Sequence, residues 1–524
     1  MHGTLSNLIA FLGAIGLASV VAPRLKVPAP VLLAVVGLAW GSIPGRMAPD
    51  IDPHVVLSVF LPPLLYAEAW RASWHDFRRW LRPILSLGIG LVAFTILTAG
   101  IAAKLVLPGL DWSVCFLIGA VVSPTDTVAV HAVLARLRVP RRITAIIGGE
   151  SLINDATGLL GAQLAVVVTL TGVFRASSIV TEFARISAVS LAIGVAAGAL
   201  AVGINARLRG TAVLFVFSLF VPYLAFALAE RAGASGVLAV VVAGFIASWR
   251  IDLVAPESRV DLTQSWDIVT FILNGMMFLF VGLAIPRLAA DPSSSGGFLV
   301  EGLVIGVAVV LTRLAWFWPA AYIPLWLSRR LREKEGGYPP ARAIVLGGWC
   351  GVRGAVSLAA ALALPAALPD GAPFPGRAAV EAATLVTIVV TLIGQGSTIG
   401  PLVRWMGLPS DPTTEAETRK AREAMLSAGV ARLDAFCAEK SCPVAVYRYR
   451  EVLLDRLAEQ RDIEESERRH ATRRLEVSRE VRRAVWQAES AELLRLRDGG
   501  QINDRDHQDL QLELDREHAD LTAA

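Results

Sequence analysis

The chain has 524 residues, of which 54% are hydrophobic and only 18% charged, with a formal net charge of +4. Soluble domains carry about 25% charged residues on average, so the composition excludes an ordinary soluble enzyme or binding module. The basic residues gather at the ends of apolar blocks and form no stripe interleaved with aromatics, so nothing points to nucleic acid as a partner.

The apolar residues fall in blocks of roughly 18 or more, enough to cross a hydrocarbon core about 30 Å thick. About thirteen transmembrane helices are predicted, near 4–22, 29–45, 54–70, 82–106, 112–136, 142–171, 179–206, 210–230, 234–249, 265–286, 298–327, 341–365 and 378–406. The first block has no basic segment before it and no small-residue cleavage site after it, and reads as a retained span. Alternate loops hold Arg24 and Lys26; Arg71, Arg78, Arg79 and Arg82; Arg136, Arg138, Arg141 and Arg142; Arg207 and Arg209; Arg250 and Arg259; and Arg329, Arg330, Arg332, Lys334 and Arg342. The positive-inside rule makes those loops cytoplasmic and puts the N-terminus outside. From about 411 onward the chain is a dense mixture of Glu, Arg, Asp and Lys. The expected organisation is an all-α, multi-pass domain over 1–409 in the plasma (inner) membrane, followed by a helical cytoplasmic tail over 410–524. Two inverted six-helix repeats, about 4–171 and 210–406, would flank a central seventh span.

That symmetry pairs the fifth span with the twelfth. The fifth carries Ser-Pro-Thr-Asp-Thr at 123–127, and the twelfth carries Gly347, Gly348, Gly351 and Gly354 around Arg353. Helices interrupted by Pro or Gly at matching places in inverted halves point to a transporter binding site. Pro124 lacks a donor and clashes with the preceding turn, so the helix is expected to open near Thr125–Asp126. The freed carbonyls there can face a cation, and Asp126 can both offset the partial charge at a half-helix N-terminus and serve as a further candidate for binding the ion or proton.

Five ionisable residues lie well inside spans: Glu68, Asp126, Glu150, Asp155 and Arg353. Each costs about 2.5–3.5 kcal/mol near a helix centre, so together they require a shared polar interior. In the sixth span, Gly-Glu-Ser-Leu-Ile-Asn-Asp (149–155) puts Glu150 with Asn154, and Ser151 with Asp155, at four-residue spacing on one patch. Carboxylate, hydroxyl and amide oxygens suit a small alkali cation. A proton or a Na⁺ can each neutralise Asp155, which makes their binding mutually exclusive. Arg353 needs an acid, and Glu150 is the expected partner in a buried structural ion pair. Arg313, Glu230 and Glu381 lie nearer span ends and are expected to snorkel.

These strings, with Phe-Leu-Pro-Pro-Leu-Leu-Tyr-Ala-Glu (60–68), Gly-Val-Arg-Gly-Ala-Val-Ser-Leu (351–358) and Gln-Gly-Ser-Thr-Ile-Gly-Pro-Leu-Val (395–403), resemble the cation:proton antiporter-1 family of sodium/proton exchangers. The resemblance implies a homodimer with a dimerisation domain and a moving core domain built on two crossed, broken helices. It implies Asp155 as the carboxylate that binds ion or proton, aided by Thr125 and Ser151, with Glu68 as a further candidate. Asn154 before Asp155 is similar to the electroneutral branch, which implies 1:1 exchange by alternating access and a role in pH homeostasis. Thr127 departs from the Pro that many relatives have after the Thr-Asp pair and leaves ion preference open. Na⁺ is the expected cargo, with Li⁺ or K⁺ exchange as the alternative, and no cofactor is implied. A membrane-embedded enzyme is disfavoured, since there is no His-based nucleophile pair, Gly-x-Ser-x-Gly or His-Glu-x-x-His.

Overall fold

A computed structural model describes residues 2–25, 27–43, 53–134, 137, 139–172, 176–208, 210–289, 297–365, 367, 368, 371–407, 412–439, 444–460, 465–498, 510, 511, 514 and 515. Lys26, Arg136, Arg138, Arg209 and the expected boundary at 409/410 lie outside the described residues. The chain divides into two compact units, Met1–Ser410 and Asp411–Ala524.

The first unit is built from α1 (His2–Leu25), α2 (Ala29–Gly41), α3 (Pro53–Arg71), α4 (Leu81–Val106), α5 (Trp112–Val121), α6 (Thr127–Leu134) and α7 (Arg141–Thr171). It continues with α8 (Ala176–Arg207), α9 (Thr211–Arg231), α10 (Gly236–Trp249), α11 (Pro256–Ala289), α12 (Phe298–Leu327), α13 (Ala341–Trp349), α14 (Ala355–Leu362) and α15 (Arg377–Met406). Among the described residues no strand forms beyond one isolated bridge between Ala367 and Pro373. Seven helices are long and apolar enough to span a bilayer: α4, α7, most of α8, α9, most of α11, α12 and α15. The apolar helices α2, α5 and α10 and the stretch Ile9–Leu25 are shorter.

One apolar core joins α3, α8, α9, α10 and α11 around fully buried Trp266, whose indole N–H donates to Ser218 Oγ at 3.1 Å. Another joins α4, α5, α7, α12, α14 and α15. Leu152, Ala156 and Leu160 of α7 belong to the first core and Ala162 to the second, so α7 runs between them. Helices α4 and α15 each contain a π-helical stretch, Ser86–Leu91 and Val390–Gln395. Such stretches recur at functional sites.

Two stretches inside apolar sequence are not helical, 122–126 between α5 and α6 and 350–354 between α13 and α14. They cross: the Asp126 N–H donates to the Val352 carbonyl at 2.8 Å. Close approach is possible because two positions lack a side chain. A Cβ on Gly354 would collide with the Asp126 carboxylate, and one on Gly158 of α7 would meet Ser123 Oγ at 2.6 Å and Pro124 at 2.8 Å.

The second unit consists of α16 (Pro412–Glu439), α17 (Val444–Gln460) and α18 (Glu465–Asp498). Among the described residues, Leu453 and Leu457 are its buried apolar residues, and Arg450 pairs with Asp434 at 2.6 Å.

Candidate functional site

The crossing creates four half-helix ends deep in the unit, each with backbone groups that lack helical partners. The side chains that answer them follow the sign of the helix dipole. The Arg353 guanidinium donates to the Val122 carbonyl at the C-terminal end of α5 at 2.8 Å, and to the Gly351 carbonyl just beyond α13 at 2.5 Å. At the C-terminal end of α13, Arg313 donates to the carbonyls of Gly347 (3.3 Å) and Cys350 (3.5 Å). At the N-terminal end of α6, Asp126 Oδ1 accepts from the Val128 N–H at 2.7 Å. The same carboxylate abuts Gly354, the residue that opens α14. Cations therefore sit at the two C-terminal ends and one anion serves both N-terminal ends.

The ion pair expected between Glu150 and Arg353 is corrected by this geometry. Glu150 is held bidentately by Arg313 through Nη1 and Oε1, and through Nη2 and Oε2 at 2.8 Å. Both side chains are only 1% exposed. Arg313 does not snorkel, because it lies near the middle of the 30-residue α12 and faces α7 and α13. Arg353 instead uses its donors on backbone carbonyls, and its own N–H donates to Thr391 Oγ1 at 3.0 Å. The position of Arg313 midway along the 298–327 block was legible in the sequence and argues against the expected place near a span end; its side of the helix had no marker. Glu230 accepts from the Gly236 N–H and Glu381 pairs with Arg377.

Thr125 is where α7 grips the opened segment. Asn154 Nδ2 donates to Thr125 Oγ1 at 2.5 Å, and the Thr125 N–H points at Asn154 Oδ1 at 3.4 Å. Ser151 Oγ donates to the Thr125 carbonyl at 3.0 Å. Ser151, Asn154 and Thr125 thus form one buried network. Asp155 adjoins it, 4% exposed, and its Oδ1 has no hydrogen-bond partner among the described residues. Glu68, Asp126 and Glu150 are close enough to act on it electrostatically. A buried carboxylate oxygen without a donor is costly unless a proton or a cation reaches it.

Glu68 is separate from the Thr125 network and accepts a 3.4 Å hydrogen bond from Thr127 Oγ1. Thr127, singled out only as a departure from Pro, thereby links α3 to the start of α6. Both residues line a cavity of about 720 Å³ that also meets Arg71, Asp76, Arg141 and Leu152. Asp155 is three residues beyond Leu152 along α7. Among the described residues, no group of three or more His, Cys, Asp or Glu side chains is placed to hold a metal ion.

Comparison with known proteins gives four findings. The family model described as "Sodium/hydrogen exchanger, transmembrane" matches residues 8–405. A Mycobacterium tuberculosis protein described as an uncharacterized Na(+)/H(+) exchanger is 32% identical over 527 residues, covering 98% of this chain and 95% of that protein. A Bacillus pumilus protein named a sodium, potassium, lithium and rubidium/H(+) antiporter is 29% identical over 380 residues, covering 70% of this chain and 56% of that one. In three dimensions the chain is similar to the sodium proton antiporter of Methanocaldococcus jannaschii. The TM-score is 0.60 at 20% identity, covering 76% of this chain and all of that one, which is a likeness of fold.

Proposed function

The chain belongs to the sodium/hydrogen exchanger family, and from that premise we propose that it exchanges Na⁺ for H⁺ at Asp155 by alternating access. The observation that carries the reading is the buried Asp155 carboxylate beside the Thr125–Ser151–Asn154 network, whose Oδ1 lacks a donor among the described residues. Ionised, it attracts a monovalent cation; protonated, it is neutral and releases that cation. Thr125 and Ser151 supply oxygens beside the Na⁺, and Asn154 holds the opened backbone in place. Glu68 and Thr127 lie on the way in, at the 720 Å³ cavity that Arg71 and Arg141 also line. Closing that cavity and opening the opposite side would complete one half-cycle.

In this reading the first unit makes thirteen crossings of the plasma membrane in two inverted repeats, functions as a homodimer and leaves 410–524 in the cytoplasm. Asp126 neutralises helix ends and Glu150 is held by Arg313, so Asp155 is the single carrier and exchange is electroneutral, 1:1. Its physiological use is pH homeostasis. The test is Asp155→Asn in proteoliposomes carrying a pH-sensitive dye. We expect exchange with Na⁺ to be abolished while the melting midpoint and size-exclusion profile stay as in the wild type. Exchange near the wild-type rate would refute the assignment. K⁺ or Li⁺ as cargo is the second reading, favoured by the Bacillus relative's name; the same assay with each cation ranks them.

A further inference from the structure

Away from the crossing, a cavity of about 170 Å³ lies among α4, α7, α12 and α13. Its walls are apolar, with Leu87, Ile146 and Phe317 among them, while Arg82 and Arg142 stand at the same cavity. Glu335 bridges these arginines: Arg82 Nε and Nη2 donate to it at 2.8 and 3.0 Å, and Arg142 Nη2 at 3.2 Å. The Glu335 side chain is 6% exposed. One carboxylate against two guanidiniums leaves a positive charge over.

Two helices also begin here. Pro140 precedes α7 and Pro340 precedes α13; both prolines line the cavity, and neither helix start has a side-chain cap. Each start adds roughly half a positive elementary charge and free N–H groups, an arrangement that favours phosphate. Nearby, Tyr322 of α12 stacks with Trp318 and lies against Tyr338, with ring centroids 5.8 Å apart in both pairs. Its hydroxyl donates to the Pro339 carbonyl at 3.2 Å. Aromatic clusters of this kind mark headgroup depth in a bilayer.

We propose that this cavity is a binding site for an anionic phospholipid. One acyl chain lies along Leu87, Ile146 and Phe317, and the phosphate faces Arg82, Arg142 and the two helix starts. A small anion would leave the apolar walls uncovered, and a neutral lipid would leave the surplus charge unmatched. The lipid would join the entry of α7, which carries Asp155, to the entry of α13, which leads into the crossing at Val352.

The test uses the full-length protein in neutral detergent. Thermal melts are recorded with phosphatidylglycerol, phosphatidylcholine or inorganic phosphate titrated in, for the wild type, Ala321→Trp (filling the cavity from α12) and Arg142→Gln. Phosphatidylglycerol should raise the wild-type midpoint saturably by about 2–4 °C, with phosphatidylcholine and phosphate giving little shift. Either variant should lose most of that rise. An equal shift with phosphatidylcholine, a full shift with phosphate alone, or an undiminished shift in both variants would overturn the proposal. If neither variant folds, native mass spectrometry of the wild type from equimolar mixed-lipid micelles decides. Preferential retention of phosphatidylglycerol supports the site, and equal retention of both lipids overturns it.

Discussion

Glu150 and Arg313 show how one buried residue constrains its neighbours. Each is 1% exposed and each neutralises the other, so removing either strands a charge at a cost of about 3–5 kcal/mol. Glu150→Gln and Arg313→Met should each lower the melting midpoint sharply in detergent, and the double variant should lose much less than their sum. Arg353 makes a contrasting prediction. Its donors go to the Val122 and Gly351 carbonyls, and a charged hydrogen bond is worth about 1.5–3 kcal/mol. Arg353→Lys should therefore be destabilising, and its coupling to Glu150→Gln should be weaker than that between Glu150 and Arg313, because Glu150 acts on Arg353 only through space. Coupling between Glu150 and Arg353 as large as that between Glu150 and Arg313 in the same melts would contradict the geometry. Asp155 differs from both in having an oxygen without a donor among the described residues, which is why its neutralisation should stop exchange and spare the fold.

At the scale of the element, the broken helices raise the question of how half-helix ends are tolerated inside an apolar unit. Asp126 answers at two N-terminal ends, by hydrogen bond to Val128 and by contact with Gly354. Asn caps about as well as Asp, whereas Ala does not. Asp126→Asn should thus cost at most about 1 kcal/mol, the dipole contribution, while Asp126→Ala should cost about 1–2 kcal/mol more. If Asp126→Asn folds normally yet abolishes exchange, Asp126 carries charge in the cycle and is more than a cap. Gly354→Ala should push the crossing strands apart, because its Cβ would occupy the place of the Asp126 carboxylate. The expected result is a destabilisation of about 1–3 kcal/mol with a larger proportional loss of exchange, measured on the same preparation.

For the whole molecule, the single-carrier reading makes a quantitative claim about pH. A proton and a cation competing for Asp155 predict that acidifying the loading side raises the apparent KM for Na⁺. The rise is up to about tenfold per pH unit below the pKa of the site, with the rate at saturating Na⁺ unchanged. An apparent KM independent of pH would exclude competition. The same reading predicts no net charge per turnover. Solid-supported-membrane recordings should show no sustained current under conditions where a fluorescence assay reports robust exchange. A steady current that scales with exchange would require a second titrating carboxylate, with Glu68, at the cavity with Thr127, the first to test.

How much of this was legible in the sequence follows from which signals are local. Apolar block length and loop arginines are local properties, so the all-helical architecture and the long spans could be read directly. Pro124 and the glycines around Arg353 are local too, since they act on their own backbone, and they foretold the openings at 122–126 and 350–354. Asp155, Asn154, Ser151 and Thr125 could be named as candidates because two short segments carry polar groups in apolar surroundings. Pairing is not local. Whether Glu150 meets Arg353 or Arg313 depends on the rotation of α12 and on which carbonyls the crossing leaves bare, and no residue spacing encodes either. The tertiary structure decided that Arg353 serves the end of α5, that Asp126 serves two helices at once, and that Arg82, Arg142 and Glu335 meet from three distant parts of the chain. Burial selects each arrangement by the same physical rule: an unanswered charge or backbone group is costly, and only the assembled fold brings the answering group within reach, or, at Asp155 Oδ1, leaves the place to a proton or cation.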